Sequence, residues 1–296
     1  MKTKLILLAL GLILSQSPVW AGQQVNETRS ADLDAYIEIE IISGSIKVTG
    51  WDRNEIVITG TIGDDVESLE VSGSGNHISI DLETPGSWGK GRKEIDADLE
   101  ISMPSGARFE AETVSAGITV SGLTGTAQLA SVSGPIDLSG SMTRAGIETV
   151  SGQIQVKGGG SRVEAESVSG PITLEGVSET VEVSTVSGPI DVSASSVDRA
   201  DFESVAGSIR FRGSLNEGAH LSAEIHSGNV VLELPADTSA SFEVETFSGS
   251  IDNDFGPAAE RADRYTPGQW LKFSTGDGDS KISIESFSGS VELKKM

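Results

Sequence analysis

The sequence predicts an all-β fold, a single-stranded parallel β-solenoid in which each coil takes about 18 residues. A Val-Ser-Gly-x-Ile phrase (Val-Ser-Ala-Gly-Ile in its first copy) recurs at 18-residue steps, beginning at Val114, Val132, Val150, Val168 and Val186. Apolar and polar residues alternate inside each copy, which is typical of an extended chain. Glycine interrupts every copy and proline interrupts three of the five, and this excludes a helical repeat. Looser copies begin at Val205, His226, Phe247 and Phe287.

The first 21 residues have the pattern of a secretory signal peptide. Lys2 and Lys4 precede an apolar run over residues 5–14, and a small-x-Ala exit ends at Ala21. The run is too short to span a membrane, which takes about 20 apolar residues, and no second apolar stretch follows it. We therefore expect cleavage after Ala21, no membrane span in the mature chain, and an exported protein that is periplasmic, secreted or held at the cell surface.

Residues 22–102 are predicted to form an irregular β portion that caps the solenoid and supplies its first coils. Five alternating segments within it read as strands, at residues 36–42, 45–49, 55–59, 77–82 and 95–101. Turn-rich stretches separate these segments. Because no linker composition intervenes, we expect the cap and the regular coils to be continuous.

Residues 103–296 are predicted to form the regular solenoid. Counting from the glycine of each phrase, the residues at −2, +2 and +4 are apolar and are expected to face inward, as Val132, Ile136 and Leu138 do around Gly134. A glycine at +6 suits a corner, and a second apolar pair follows at +11 and +13. The last interval is longer and carries an insertion near residues 253–280. A Φ-Pro lead-in, which is an apolar residue followed by proline just before a new strand, occurs twice, at Met103-Pro104 and Leu234-Pro235.

Right-handed winding follows from the general rule for parallel strand crossovers rather than from the spacing. A left-handed hexapeptide helix has coils of the same length, but no apolar residue recurs every six positions here. The glycine-rich aspartate turns of a calcium β-roll are also missing from the regular repeats.

Composition narrows the possible partners. The formal charge is −23, and it becomes −25 when Lys2 and Lys4 leave with the signal peptide. Such a chain is not expected to bind nucleic acid, which requires basic patches. The absence of cysteine excludes disulfides, thiol catalysis and thiolate metal sites.

The Φ-Pro lead-in, the repeated Val-Ser-Gly-x-Ile and the closing segment over residues 276–293 resemble the bacterial putative-adhesin family, β-strand-repeat proteins of unknown function that are similar to head-domain adhesins. The resemblance covers about residues 30–293. It implies an exported right-handed parallel β-solenoid, and it supplies no catalytic residues. An envelope glycan or protein is the partner class that such a module implies.

Two sets of side chains are candidates for a site. The first is an acidic strip that is interpreted as a site for divalent cations such as calcium, as a site for cationic partners, or as a solvated face; its members are Glu148, Glu164, Glu166, Glu182 and Asp201. The second lies around the final insertion, where long loops often carry function, and is interpreted as a ligand contact or as a plug for the solenoid end; its members are Arg261, Arg264, Tyr265 and Trp270.

Catalysis is not predicted. The bend serines have no companion histidine and acid, and Asp137 and Asp191 lie three coils apart, about 14 Å, whereas paired glycosidase carboxylates are about 5–9.5 Å apart. The prediction is a non-enzymatic structural or binding module without a cofactor. The alternatives are a carbohydrate-active β-helix enzyme and a cation-stabilised surface scaffold.

Overall fold

The computed structural model describes residues 22–83, 95–158, 160–261 and 267–296, and this part of the chain contains β-strands and no helix. All the strands belong to one hydrogen-bonded mixed sheet. The N-terminal strands are β1 (Gln23–Ile41), β2 (Ser43–Trp51), β3 (Glu55–Ile62), β4 (Ser68–Glu83) and β5 (Asp96–Pro104). The all-β class predicted from the alternation is therefore confirmed.

The regular repeats form eleven consecutive strands that pair in parallel. They are β6 (Arg108–Thr113), β7 (Gly117–Leu123), β8 (Thr126–Ser131), β9 (Ile136–Gly140), β10 (Met142–Thr149), β11 (Ile154–Lys157), β12 (Gly160–Ser167), β13 (Ile172–Thr185), β14 (Ile190–Ala206), β15 (Ile209–Ser227) and β16 (Val230–Leu234). Ile118 lies opposite Ile136, and the register continues through Ile154, Ile172 and Ile190. Each step joins equivalent positions of successive copies, as the repeat predicts.

The C-terminal strands are β17 (Ala240–Ser248), β18 (Ile251–Asn253), β19 (Glu260–Arg261), β20 (Gln269–Thr275), β21 (Ser280–Ser288) and β22 (Val291–Lys295). β20 runs antiparallel to β17 and β19 runs antiparallel to β20. These two strands follow β17 outward, away from the parallel repeats, so the insertion predicted near residues 253–280 forms the last layer of the sheet.

Both ends of the parallel stack depart from the order of the sequence. The C-terminal half of β1 lies between β4 and β6, and β2 lies between β5 and β7. In the same way β21 lies between β15 and β17, and β22 lies between β16 and β18. The first and last repeats are thus each intercalated between two repeats that are neighbours in sequence.

The two Φ-Pro segments mark the places where the chain steps over an intercalated repeat. Pro104 ends β5, opposite Trp51 of β2, and the chain then continues as β6 on the far side of β1. Pro235 follows β16, and the chain continues as β17 on the far side of β21. Because proline has no N–H to donate, it suits a point where regular pairing stops.

The interior consists of columns of aliphatic side chains. The isoleucines at +2 and the residues at +4 are fully buried, as Ile136 and Leu138 illustrate. The second apolar pair of each repeat is buried as well, for example Val163 and Ala165. The expected inward columns at +2, +4, +11 and +13 are therefore confirmed.

The expectation that the bend valines face inward is wrong. Val132, Val150 and Val168 are each almost half exposed, and the residue before each valine is buried instead, as Thr149 is. The reason is that the chain turns between −2 and +2, so the alternation counted back from the isoleucine does not pass through the bend. Counted forward from the preceding strand, the alternation places the valine on the outer face.

The bend itself is closely packed. A Cβ built on Gly170 would lie 1.8 Å from the carbonyl oxygen of Gly152 in the preceding repeat, and Gly188 would meet Gly170 at 2.1 Å. The serine beside the glycine donates its hydroxyl to the valine carbonyl of the preceding repeat, as Ser133 does to Val114 at 3.1 Å and Ser169 to Val150 at 3.2 Å. The bend serines thus form a ladder of hydrogen bonds between successive repeats.

Candidate functional site

The exposed bend residues form a continuous column that we call the apolar ladder. It begins with Ile42, which accepts a hydrogen bond from the backbone of Ser115 just as Val114 accepts one from Ser133. Its six valines are each 46–51% exposed. In spatial order the ladder comprises Ile42, Val114, Val132, Val150, Val168, Val186, Val205, His226, Phe287 and Phe247.

Three stacked rings complete the ladder at its C-terminal end. The His226 and Phe287 rings lie 4.7 Å apart and nearly parallel, and Phe287 stacks on Phe247 at 4.9 Å. Both phenylalanines are at least half exposed. This order results from the intercalation of β21, because the sequence alone would place Phe247 next to His226.

A second column, the acidic ladder, runs beside the first. Each of its members lies two residues before a member of the apolar ladder along the chain. It contains eight exposed glutamates, with Ala130 and Ser184 at the two remaining positions; the glutamates are Glu40, Glu112, Glu148, Glu166, Glu203, Glu224, Glu285 and Glu245. Among the residues that the structure describes, no basic side chain forms an ion pair with any of them.

The two ladders border a groove of about 1050 Å³ that follows the stack from Glu112 to Phe247. Small hydroxyl residues lie between the ladders and line its floor. Ser167, Ser204 and Ser286 are each only 6% exposed, and their hydroxyls have no hydrogen-bond partner within the described structure. These hydroxyl oxygens are buried beneath the floor, so the character of the groove comes from its two walls, one apolar and the other acidic.

The carboxylates of the predicted acidic strip fall into two different columns. Glu148 and Glu166 belong to the acidic ladder, whereas Glu164, Glu182 and Asp201 lie in the column two residues earlier. Because neighbouring columns on one face of a sheet are about 7 Å apart, the five predicted side chains do not converge on a single point. The strip exists, but it is two parallel rows.

Arginines occupy the row of Glu164, Glu182 and Asp201. Arg162 contacts Glu164 at 2.6 Å and Glu182 at 2.9 Å. Arg144 contacts Glu164 from the other side at 2.8 Å. Asp201 pairs with Arg199 of its own strand. This row is therefore electrically compensated, unlike the acidic ladder.

The ion pairs also set the titration of Glu164. The hydrogen bond from Arg144, followed by that from Arg162, lowers the pKa of Glu164 below its ordinary value and outweighs the opposing effect of partial burial. Within the described ranges, no group of three or more histidine, aspartate or glutamate side chains is arranged to hold a metal ion. The calcium alternative stays a prediction.

The residues predicted around the final insertion lie partly at the end of the groove. Trp270 is 41% exposed on β20 and lies opposite Glu245, the last member of the acidic ladder. Arg261 is exposed on β19, opposite Gln269. Arg264 and Tyr265 lie outside the described residues. The ligand-contact interpretation of this set stays a prediction.

A separate polar cluster lies near the N-terminal end. The hydroxyl of Tyr36 donates to Glu110 at 2.6 Å, and Nε2 of His77 lies 3.0 Å from a carboxylate oxygen of Glu38. The hydrogen bond to Glu110 raises the pKa of Tyr36 well above its usual range, and the hydrogen bond with His77 lowers the pKa of Glu38. These groups satisfy one another on an exposed sheet surface.

Comparison with known proteins supplies a family and several similar folds. A family model described as Toastrack DUF4097 matches residues 35–294. No curated protein matches the chain. No helix long and apolar enough to cross a membrane occurs in the described part of the chain.

Three solved structures illustrate the likeness. A putative lipid binding protein from Parabacteroides distasonis is 15% identical, with 93% of this chain and 98% of that one covered and a TM-score of 0.50. A putative adhesin from Parabacteroides merdae is 13% identical over 92% and 96% of the two chains, with a TM-score of 0.49. A putative adhesin from Bacteroides fragilis is 12% identical over 92% and 97%, with a TM-score of 0.41. At 15% identity and a TM-score of 0.50, the first of these structures indicates a similar fold alone.

Proposed function

This chain belongs to the Toastrack DUF4097 family, and from that premise we propose that it is an exported, non-enzymatic binding module of the bacterial envelope. The proposed architecture is a right-handed single-stranded parallel β-solenoid with about 18 residues per coil. The parallel register between successive copies supports the solenoid, and the general handedness of parallel crossovers supports the right-handed sense. Residues 1–21 are proposed to be a cleaved signal peptide, residues 22–102 a cap with the first coils, and residues 103–296 the regular part.

The exposed apolar ladder is the observation that carries the binding function. Six valines and two phenylalanines lie in one column on the outside of the molecule, with His226 between the two sets, where exposed apolar side chains contribute little to the stability of the fold. Large contiguous apolar surfaces of this kind usually mark interaction sites. The similar structure with a TM-score of 0.50 is named a putative lipid binding protein, and that name describes binding rather than catalysis.

The distribution of carboxylates argues against the carbohydrate-active alternative. Asp137 and Asp191 lie in one outward column, separated by Gln155 and Thr173, so they are three repeats apart. At about 4.8 Å per repeat they are about 14 Å apart, beyond the reach of paired catalysis. The acidic ladder brings glutamates closer, but all of them are exposed in one row, whereas an acid–base pair needs two carboxyl groups in contrasting environments.

The experiment is a binding assay on isolated bacterial envelope fractions with the mature protein, residues 22–296. The test variant carries Val150→Thr and Val168→Thr, which keep the β-branched shape and replace one exposed methyl group of each valine with a hydroxyl. The matched control carries Gln155→Ser and Thr173→Ser, in the outward column of the same repeats. Binding that the test variant loses and the control retains would support the proposal. Equal binding by the unmodified protein, the test variant and the control variant would show that the apolar ladder is not the binding site.

The enzyme alternative is tested in parallel on a panel of acidic polysaccharides. We expect retention without cleavage or no retention. Turnover that disappears when a small carboxylate cluster is changed would overturn the non-enzymatic assignment.

A further inference from the structure

We propose that the groove binds a linear cationic polypeptide segment, with its apolar side chains on the apolar ladder and its lysines and arginines facing the acidic ladder. This inference rests on the proposed binding function and specifies its partner. Glu148 and Val150, like every such pair, are two residues apart along the chain, so the two walls are separated by about 7 Å. An extended chain that lies along the stack can therefore contact both walls at once.

Charge complementarity selects the sign of the partner. The neighbouring carboxylates Glu164, Glu182 and Asp201 all have arginine partners, but the glutamates of the acidic ladder have none in the described structure. Like charges at about 5 Å repel one another, and a bound cation relieves that repulsion along the whole row. An acidic or phosphate-rich partner would increase the repulsion, so the acidic ladder favours a basic partner.

Lysine and arginine match both walls at once. Their aliphatic stems can lie on apolar surface while the charged head reaches water or a carboxylate. The aliphatic stem of a partner lysine or arginine that lies on Val150 is long enough for its charged head to reach Glu148, because the two walls are about 7 Å apart.

The aromatic end gives the groove a direction. Because the rings of His226, Phe287 and Phe247 stack face to face along the column, their edges point outward. Ring edges carry positive partial charge, and they contact apolar or aromatic side chains better than cations. We therefore expect the bound segment to place its bulkiest apolar residue at this end.

The dimensions set the length and the selectivity of the partner. Ten ladder positions at about 4.8 Å span about 43 Å, which is the length of an extended segment of about 13 residues. Alternate side chains of such a segment are about 7 Å apart, whereas the ladder repeats every ~4.8 Å. One side chain cannot match each repeat, so recognition depends on composition and alternation rather than on one exact sequence.

The test measures fluorescence anisotropy of labelled 13-residue peptides with the mature protein at low and high salt. The probes alternate leucine with lysine, leucine with glutamate, and serine with lysine. We expect the leucine–lysine peptide to bind and to weaken about tenfold or more as salt rises from low to high concentration, because the acidic ladder is exposed to screening. The leucine–glutamate peptide should not bind, and the serine–lysine peptide should bind at least about tenfold more weakly.

Two variants separate binding from stability. Glu148→Gln with Glu166→Gln should weaken the leucine–lysine peptide by about threefold to tenfold while raising the melting temperature, because it removes both the attraction for the peptide and the repulsion within the ladder. Val150→Thr with Val168→Thr should weaken the same peptide, and the Gln155→Ser, Thr173→Ser control should not. Equal affinity for the lysine and glutamate peptides, or equal weakening by the control, would overturn the proposal.

Lipid vesicles distinguish this inference from the broader function. If phosphatidylcholine or phosphatidylglycerol vesicles bind through Val150 and Val168 and the leucine–lysine peptide does not bind, the binding module stands and the cationic partner is wrong. If neither the peptides nor any envelope fraction binds in a ladder-dependent way, the proposed function fails as well.

Discussion

Replacing Gly170 with alanine tests the close stacking of the bends. The new Cβ would lie 1.8 Å from the carbonyl oxygen of Gly152 and 2.7 Å from its carbon, and both atoms belong to the backbone of the preceding repeat. Real Cβ contacts stay beyond 3.0 Å, so the two bends must separate by at least about 1.2 Å. No flexible side chain is available to absorb that movement.

The cost can be worked from the bonds that flank the clash. Two backbone hydrogen bonds hold the same pair of bends together, from Ser169 to Val150 at 2.9 Å and from Ile154 to Pro171 at 2.9 Å. Weakening both costs about 1 kcal/mol each, and overpacking adds about 1–3 kcal/mol. We expect Gly170→Ala to lower the free energy of unfolding by about 3–5 kcal/mol.

Gly117 provides a matched control one position further along a bend. A Cβ there would meet the Pro135 ring at an ordinary 3.6 Å, and its φ is not in the left-handed region. Gly117→Ala should therefore be neutral or stabilising by about 0.5 kcal/mol. Urea unfolding followed by circular dichroism measures both. A Gly170→Ala protein as stable as the unmodified one, or two equally destabilised variants, would refute the stacking argument.

The remaining predictions concern charge. Because Arg144 lowers the pKa of Glu164 in the folded protein, that carboxylate stabilises the fold above its unfolded pKa of about 4.3 and the contribution is lost as pH falls through the lower folded value. Glu164→Gln should thus lower the unfolding free energy by less than about 1 kcal/mol at pH 7 and by nothing at pH 2, and an equal loss at both would contradict the ion-pair account. Millimolar calcium should leave the melting temperature unchanged, since no group of three or more carboxylates in the described residues is arranged to hold a metal ion. A rise of several degrees that Glu148→Gln with Glu166→Gln abolishes would favour the cation-stabilised scaffold instead.

The sequence predicts the repeat, its register and most of its core because these depend on interactions between equivalent positions. Ile136 and Ile154 lie opposite each other because they occupy the same position in successive copies. The orientation of Val132 does not follow from the isoleucine columns, because alternation cannot be counted across a bend where the chain changes direction. The outward orientation of Val132 follows from the preceding strand instead, because the last buried residue of that strand is Ser131, one position before the valine.

The stacking order at the two ends cannot be read from the sequence. A periodic pattern states which positions are equivalent but not which copies are neighbours, and every copy offers nearly the same edges to its partner. The placement of β21 between β15 and β17 therefore depends on how the chain closes the stack. The paired lead-ins at Pro104 and Pro235 are visible, yet their meaning as steps over an intercalated repeat requires the pairing. For the same reason, the sequence does not predict the aromatic end of the candidate site, which depends on the position of Phe287 in the stack.

The apolar ladder is best understood by comparing the outward columns of the same repeats. At the position three residues after the bend glycine, six successive repeats carry Thr119, Asp137, Gln155, Thr173, Asp191 and Arg210. This variety indicates that an outward position in a stacked strand accepts almost any residue. At the exposed position two before the glycine, six successive repeats all carry valine. Threonine has the same branched shape and would satisfy a purely conformational preference, but it occurs at none of the six. What distinguishes the column is therefore its apolar surface, and an apolar surface held constant beside a row of uncompensated glutamates is explained by what it contacts.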